Sequence, residues 1–183
     1  MADLGVADWP PEPLLSERLA LRETEARDRA ALIDLLASPE VHAYLGGARP
    51  RDELERDAPE VPGRHVGTFA IERAGSLIGM VHLSRRDGGR AVHLRPEGGE
   101  VELGYLLLPE AWGFGYAEEA CATALAWVDS ILPGEPVVLC TQTANERSMR
   151  LAERLGFVEV ERFEAFDAEQ WFGVRWPSGA QTG

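Results

Sequence analysis

The stretch richest in chemistry runs through Glu102, Leu103, Gly104, Tyr105, Leu106, Leu107, Leu108 and Pro109 into Trp112, Gly113, Phe114, Gly115, Tyr116 and Ala117. An apolar strand ends, a glycine-rich turn follows and a helix begins. Such a turn points several backbone N–H groups one way, with the positive end of the helix dipole behind them, so its natural guest is a phosphate or another anion. Glycine matters there because a side chain blocks close backbone approach. A dinucleotide fingerprint is excluded: after Gly113 and Gly115 it requires Gly or Ala where Glu118 stands, and no second strand with a terminal acid follows at the right distance. The residues alone leave two readings of the turn open, an anion site and a glycine turn that only lets strand and helix pack.

A second stretch, residues 138–157, reads as a strand, a capped helix and a Gly-Phe stop. Asn145 is placed as the N-cap and Gly156 as the C-terminal glycine. Together the two stretches resemble the GNAT superfamily of N-acetyltransferases. Residues 112–117 look like that family's acetyl-CoA pyrophosphate loop, Gln/Arg-x-x-Gly-x-Gly/Ala, with Gly115 and Ala117 matching and Trp112 standing in place of Gln or Arg. The N-terminal run Ser16-Glu17-Arg18-Leu19-Ala20-Leu21-Arg22 and the later Ser38-Pro39-Glu40-Val41 resemble the RimJ/RimL-type branch, whose members act on protein N-termini, with many relatives acting on small amines. The resemblance covers residues from about 15 to about 163.

What the resemblance implies is specific. The fold is α/β (α+β): a mixed, mostly antiparallel central sheet flanked by helices, in which the strand bearing Glu102 and the strand before Asn145 splay apart around the thioester arm. The reaction is transfer of an acetyl group from acetyl-CoA to a primary amine, a small amine or a protein N-terminus, by direct attack in a ternary complex. The alternative is a non-catalytic acyl-CoA sensor or interaction module of the same fold. The backbone of Trp112, Gly113, Phe114, Gly115, Tyr116 and Ala117 would bind acetyl-CoA, and Asn145 would hydrogen-bond the pantetheine arm or a water. An amine is protonated near neutral pH, so a base must take a proton, directly or through water. Glu102 stands where relatives often place a carboxylate base, His82 on the neighbouring strand being the other candidate; a solvated strand residue is the plain reading of Glu102. The thioester oxygen needs a donor during attack, for which the N–H of Leu106 or Leu108, near an expected strand bulge, is the candidate. Ser148 occupies the branch's serine position as donor to the leaving thiol, Ala152 standing where many superfamily members carry a tyrosine; helix packing is the plain reading of Ser148.

The elements that must position these residues follow from periodicity and turn chemistry. Residues 19–22 read as an opening strand, Thr24 as the cap of a helix over 25–36, a short helix after Pro39 broken by Gly46-Gly47, and helix again over 52–57. Residues 68–72 and 77–83 form a hairpin through Ala74-Gly75-Ser76. A polar loop spans 85–99; then come a strand over 100–108, a helix over 115–131, a strand over 137–140, a helix over 145–155 and closing strands over 157–163 and 171–175. Residues 1–13 are expected to be a flexible arm, 14–176 one domain and 177–183 a tail. The aromatic run Phe163, Phe166, Trp171, Phe172 and Trp176 reads as strand core plus a contact surface, with an acceptor pocket as the alternative.

Composition removes other chemistries. All 18 basic residues are arginine, so a Schiff-base lysine and a Walker A lysine are both ruled out. No Gly-x-Ser-x-Gly elbow exists. The two cysteines, Cys121 and Cys140, form no close pair, and the four histidines, His42, His65, His82 and His93, lack metal spacing. No metal and a reducing, cytoplasmic setting are therefore expected. A net charge of −13 disfavours nucleic acid and attracts a cationic acceptor. No apolar run is long enough for a membrane helix. A monomer and a homodimer both remain open.

Overall fold

The computed structural model describes residues 4–5 and 9–177. Eight strands form one open sheet: β1 (Leu14–Leu15), β2 (Ala20–Arg22), β3 (Thr68–Arg73), β4 (Ser76–Arg85), β5 (Val101–Leu107), β6 (Val137–Gln142), β7 (Val158–Ala165) and β8 (Ala168–Arg175). Their order is β1-β2-β3-β4-β5-β6-β8-β7. Every neighbouring pair is antiparallel except β5 and β6, which are parallel because α3 (Tyr116–Ile131) crosses between them. The remaining helices are α1 (Arg29–Ala37), α2 (Arg51–Asp57) and α4 (Glu146–Arg154). The mixed, mostly antiparallel sheet with flanking helices is the architecture expected from the sequence.

The two faces of the sheet are covered differently. Leu103 and Leu107 of β5 turn towards α3, where Ala120, Cys121, Ala124, Leu125 and Val128 complete the main core. On the other face Leu106 packs with Leu32 and Leu35 of α1, Ala70, Leu77 and Val41. A third cluster on that side joins Val92 of the 86–99 loop to Val138, Phe172 and Val174. Arg175 fixes β8 to α3 through a two-pronged pair with Asp129 at 3.0 and 2.7 Å.

Several local expectations are corrected. Thr24 does not cap a helix; it is buried, and the chain makes a 3-10 turn over Ala26–Asp28 before α1 begins at Arg29. Asp28 decides this, accepting the Glu25 N–H at 2.8 Å and both terminal nitrogens of buried Arg22 at 2.7 and 2.9 Å. The stretch after Pro39 is a series of turns, closed by Gly46 and Gly47 at φ of 86° and 97°, where glycine alone is unstrained. In the described part of the N-terminal segment Leu4 is buried in the main core, and Trp9 meets Phe69 and Trp127 edge-on at 5.0 and 5.9 Å. Residues 1–3, 6–8 and most of the expected tail, 178–183, lie outside the described residues. The closing strands are longer than the periodicity suggested, because Phe166 and Asp167 adopt φ of 55° and 58° and make a tight hairpin between them.

The Arg22–Asp28 pair sets an acid limit on stability. Burial pushes the Asp28 carboxyl up, but the Arg22 guanidinium and the Glu25 N–H outweigh it and hold the group below its ordinary value. A carboxylate depressed in the folded state contributes stability above its unfolded value, and that contribution is lost as pH falls through the folded one. Asp28→Asn should therefore cost about 3 kcal/mol at neutral pH, since it strands a buried guanidinium on one side. It should also flatten the loss of stability below about pH 4. Urea denaturation at several pH values measures both.

Candidate active site

Strands β5 and β6 pair only at Val101↔Val137 and Glu102↔Val138, then diverge. The gap becomes a cleft of about 1340 Å³. Its walls are residues 103–107 of β5, 139–141 of β6, residues 111–118 except Phe114, residues 144–148 with Arg150, Leu151 and Arg154 of α4, and residues 40–45 after α1 except His42. Val41 packs on the α1 face and Leu103 on the α3 face, so the cleft passes between the strands from one side of the sheet to the other.

The 112–117 turn forms one end of this cleft. Gly113 and Gly115 both sit in the left-handed region, at φ of 84° and 81°. Among the described residues no N–H from Gly113 to Glu118 donates to a protein acceptor; the first helical bond is Glu119 N–H to Gly115 O. Six consecutive N–H groups at the start of a 16-residue helix are thus left available to an acceptor from outside the chain. Trp112 contributes more than backbone: its indole N–H donates to Leu107 O at 2.9 Å and pins the turn to the end of β5. The Arg147 guanidinium lies 5.7 Å from the same ring, a cation at the mouth.

Two residues not singled out from the sequence brace this turn. Glu119 accepts from the Ser16 hydroxyl, the Arg18 N–H and the Arg18 guanidinium, each at 2.7 Å. Burial opposes ionisation of Glu119, but these donors prevail and hold its carboxyl below the usual range. Arg18 also donates to Phe114 O at 3.0 Å and lies over the Tyr116 ring. The sequence signal was present in the N-terminal Ser-Glu-Arg run, whose use becomes visible only once β1 and β2 lie beside α3.

Asn145 caps α4, its side-chain oxygen accepting the Ser148 N–H at 3.2 Å. It also lines the cleft. Ser148 Oγ lies 2.8 Å from the Tyr105 hydroxyl, and both residues line the cleft. Tyr105 is a third residue that the sequence did not single out.

The expected carbonyl donors are corrected. Leu108 N–H donates to Ile78 O at 2.9 Å, and β4 pairs with β5 without a register shift. Backbone direction alternates along a strand, so the N–H groups of Leu106 and Gly104 also point to β4. Those of Tyr105 and Leu107, beyond the last β5–β6 pair, point into the gap. Leu106 still lines the cleft, through its side chain on the α1 face; Leu108 does not.

Glu102 stands at the vertex of the gap, on the face opposite α3. One of its oxygens takes a hydrogen bond from the buried Arg86 guanidinium, and the other has no protein partner among the described residues. Beyond it comes Gly104, where an added Cβ would meet nothing nearer than His82 O at 4.0 Å. Neither Glu102 nor His82 is part of the cleft wall itself. His82 pairs with Thr68 at 2.7 Å, and burial lowers its basicity. Glu100 is fully buried, bonded to Arg95 N–H and His93, and does not line the cleft. Acidic residues that do border the cleft are Glu40, Glu118 and Glu146. None of the C-terminal aromatics lines it; Trp171 and Phe172 are core. Among the described residues no group of three His, Cys, Asp or Glu could hold a metal ion. No described helix is long and apolar enough to cross a membrane.

The acetyltransferase (GNAT) domain family matches residues 18–158. The chain belongs to the GNAT acetyltransferases. It is 30% identical over 153 residues to the uncharacterized N-acetyltransferase YoaA of Bacillus subtilis, covering 79% of this chain and 82% of the relative. Over 85 residues it is 31% identical to YdaF of the same organism, a provisionally assigned ribosomal N-acetyltransferase, covering 46% of this chain and 42% of the relative. That likeness accords with the RimJ/RimL-like branch. The fold matches a GNAT-family acetyltransferase from Bacillus anthracis at a TM-score of 0.71 and 17% identity, over 90% of this chain and 98% of that one. It also matches the Vibrio cholerae spermidine N-acetyltransferase, solved with CoA and spermine, at a TM-score of 0.67 and 24% identity, over 89% and 98% of the two chains.

Gly115→Val places a β-branched residue at φ of 81° and a side chain over the free donors of this GNAT turn. Stability should fall by about 1–3 kcal/mol. Coenzyme A affinity, read by calorimetry, should drop by roughly tenfold or more as backbone approach to the phosphates is lost.

Proposed function

We propose that the protein transfers an acetyl group from acetyl-CoA to a primary amine, by direct attack with both substrates bound. One observation carries this reading. The cleft joins an array of free N–H donors on the α3 side to a separate mouth beside residues 40–45 on the other side, so donor and acceptor can meet in the gap from opposite faces. The residues divide the work. The N–H groups from Gly113 to Glu118 receive the pyrophosphate, with Arg147 and Trp112 at the entrance. Asn145 borders the pantetheine arm. The Tyr105 and Leu107 N–H groups polarise the thioester carbonyl and stabilise its oxyanion during attack. Ser148 donates to the departing sulfur. Glu102, through the oxygen that Arg86 leaves free, receives an amine N–H and takes the proton directly or through water.

The acceptor class follows from charge. The net charge of −13 raises the local concentration of cations around the molecule, while the cleft lining itself is balanced, with Glu40, Glu118 and Glu146 beside Arg147, Arg150 and Arg154. The fold shared with a spermidine N-acetyltransferase supports a cationic amine, and the similarity to YdaF supports a peptide N-terminus. A thiol-release assay over matched amines tests this. Turnover should favour cationic amines and N-terminal peptides, with a preference that shrinks as salt screens the field. Coenzyme A binding without turnover of any amine would overturn the transferase reading, and preference for an anionic amine would overturn the acceptor class. Glu102→Gln should lower kcat by roughly 10²-fold or more while coenzyme A affinity stays unchanged.

A further inference from the structure

The wall of the cleft carries a pair of hydroxyls whose arrangement goes beyond the roles assigned above. Tyr105 stands on β5 just past the point where the strands part, and Ser148 sits in the first turn of α4 across the gap. Their oxygens are 2.8 Å apart, and Ser148 is only 8% exposed. Neither hydroxyl has another protein partner among the described residues. A helical serine commonly turns its hydroxyl back to the carbonyl one turn earlier; Ser148 does not make that bond, so its hydrogen is directed by Tyr105 alone.

Two arrangements of the pair are available. If Ser148 donates to Tyr105, the serine hydrogen is consumed inside the wall. If Tyr105 donates, the serine oxygen is the acceptor and its own hydrogen is free for a third partner in the cleft. A phenol is the more acidic hydroxyl and a serine oxygen the better acceptor, so the second arrangement is favoured. Burial, partly offset by the Ser148 hydrogen bond, pushes the Tyr105 hydroxyl up to about 12, so the phenol keeps its proton.

We propose that Tyr105 is a positioning residue that, by donating to Ser148 Oγ, turns the serine hydrogen towards the sulfur that leaves on acyl transfer. The proposal rests on the reading that the cleft holds an acyl-CoA thioester. As the C–N bond forms and the C–S bond breaks, the electron pair passes to sulfur, which Ser148 stabilises by hydrogen bonding. The proton that finally neutralises the thiolate is the one released from the acceptor nitrogen. Tyr105 loses none, because a group titrating near 12 does not give up its proton to a thiolate whose thiol titrates near ~8.5.

The test uses Tyr105→Phe, Ser148→Ala and the double variant. Tyr105→Phe should lower kcat about tenfold, with acetyl-CoA KM and coenzyme A Kd held within about twofold. The double variant should be no slower than Ser148→Ala, because Tyr105 acts through Ser148. A second measurement needs no turnover: titration of the bound coenzyme A thiol by its thiolate absorbance. That thiol should titrate about one pH unit higher in Tyr105→Phe than in wild type, the equivalent of a tenfold weaker thiolate interaction. Wild-type kcat in Tyr105→Phe, an unmoved thiol titration, or losses that add in the double variant would each overturn the proposal. A slow Ser148→Ala beside an unaffected Tyr105→Phe would remove Tyr105 alone. Absence of turnover in wild type would remove the transferase reading, and the thiol titration would still decide the Tyr105 contact.

Discussion

Most of the site depends on how briefly β5 and β6 pair. Two residue pairs, at Val101 and Glu102, are enough to keep the sheet continuous and too few to close it. Beyond them the facing edges carry backbone groups with no strand to satisfy them, an arrangement that buried backbone rarely tolerates. Here it is tolerated because the gap is an open cleft. The same divergence turns the Tyr105 and Leu107 N–H groups inward, sets Glu102 at the vertex and lets α4 bring Ser148 across to Tyr105. The glycine turn then needs only to follow β5 and begin α3 for its free donors to lie at the mouth.

Arginine does the bracing that holds this geometry. Arg18 ties the turn to the N-terminal strands through Glu119, Arg22 settles the approach to α1 through Asp28, and Arg175 joins β8 to α3 through Asp129. Arg86, buried against Phe172 at 5.0 Å, fixes one oxygen of Glu102. A planar guanidinium can satisfy two partners at once in a set geometry, which an ammonium cannot do as well.

Much of the site was legible in the sequence because its cues are local. Gly113, Gly115 and the helix after them announce a left-handed turn and a helix N-terminus within a few residues. Asn145 and Gly156 mark the limits of α4 in the same way. What escaped depends on contacts distant in sequence. Tyr105 looks like one more apolar strand residue until α4, some 40 positions later, presents Ser148 to it. The Arg18–Glu119 brace spans about 100 positions. The N–H groups that face the gap were misplaced by one residue, because only the phase of the β4–β5 ladder, set by Leu108 bonding Ile78, decides which they are. Trp9 looked like part of a polar arm because a lone aromatic among prolines and acids shows no periodicity, though Phe69 and Trp127 give it a pocket.

The short seam between β5 and β6 also has a mechanical meaning. The sheet is two stiff panels, β1 to β5 and β6 to β8, joined by the smallest ladder in the molecule apart from the terminal β1 hairpin. Helix α3 and the surface pair of Arg154 with Glu118 at 2.7 Å bridge the panels on one side, and the 86–99 loop bridges them on the other through Val92 and through Arg86 against Phe172. A twist of one panel against the other at this seam disturbs only two ladder pairs, fewer than at any other division of the sheet except the one beside β1. That twist changes the aperture of the cleft while leaving each wall intact. The width of the reaction gap is thus a mechanical variable of the whole sheet, set by how the panels sit and not by any single side chain.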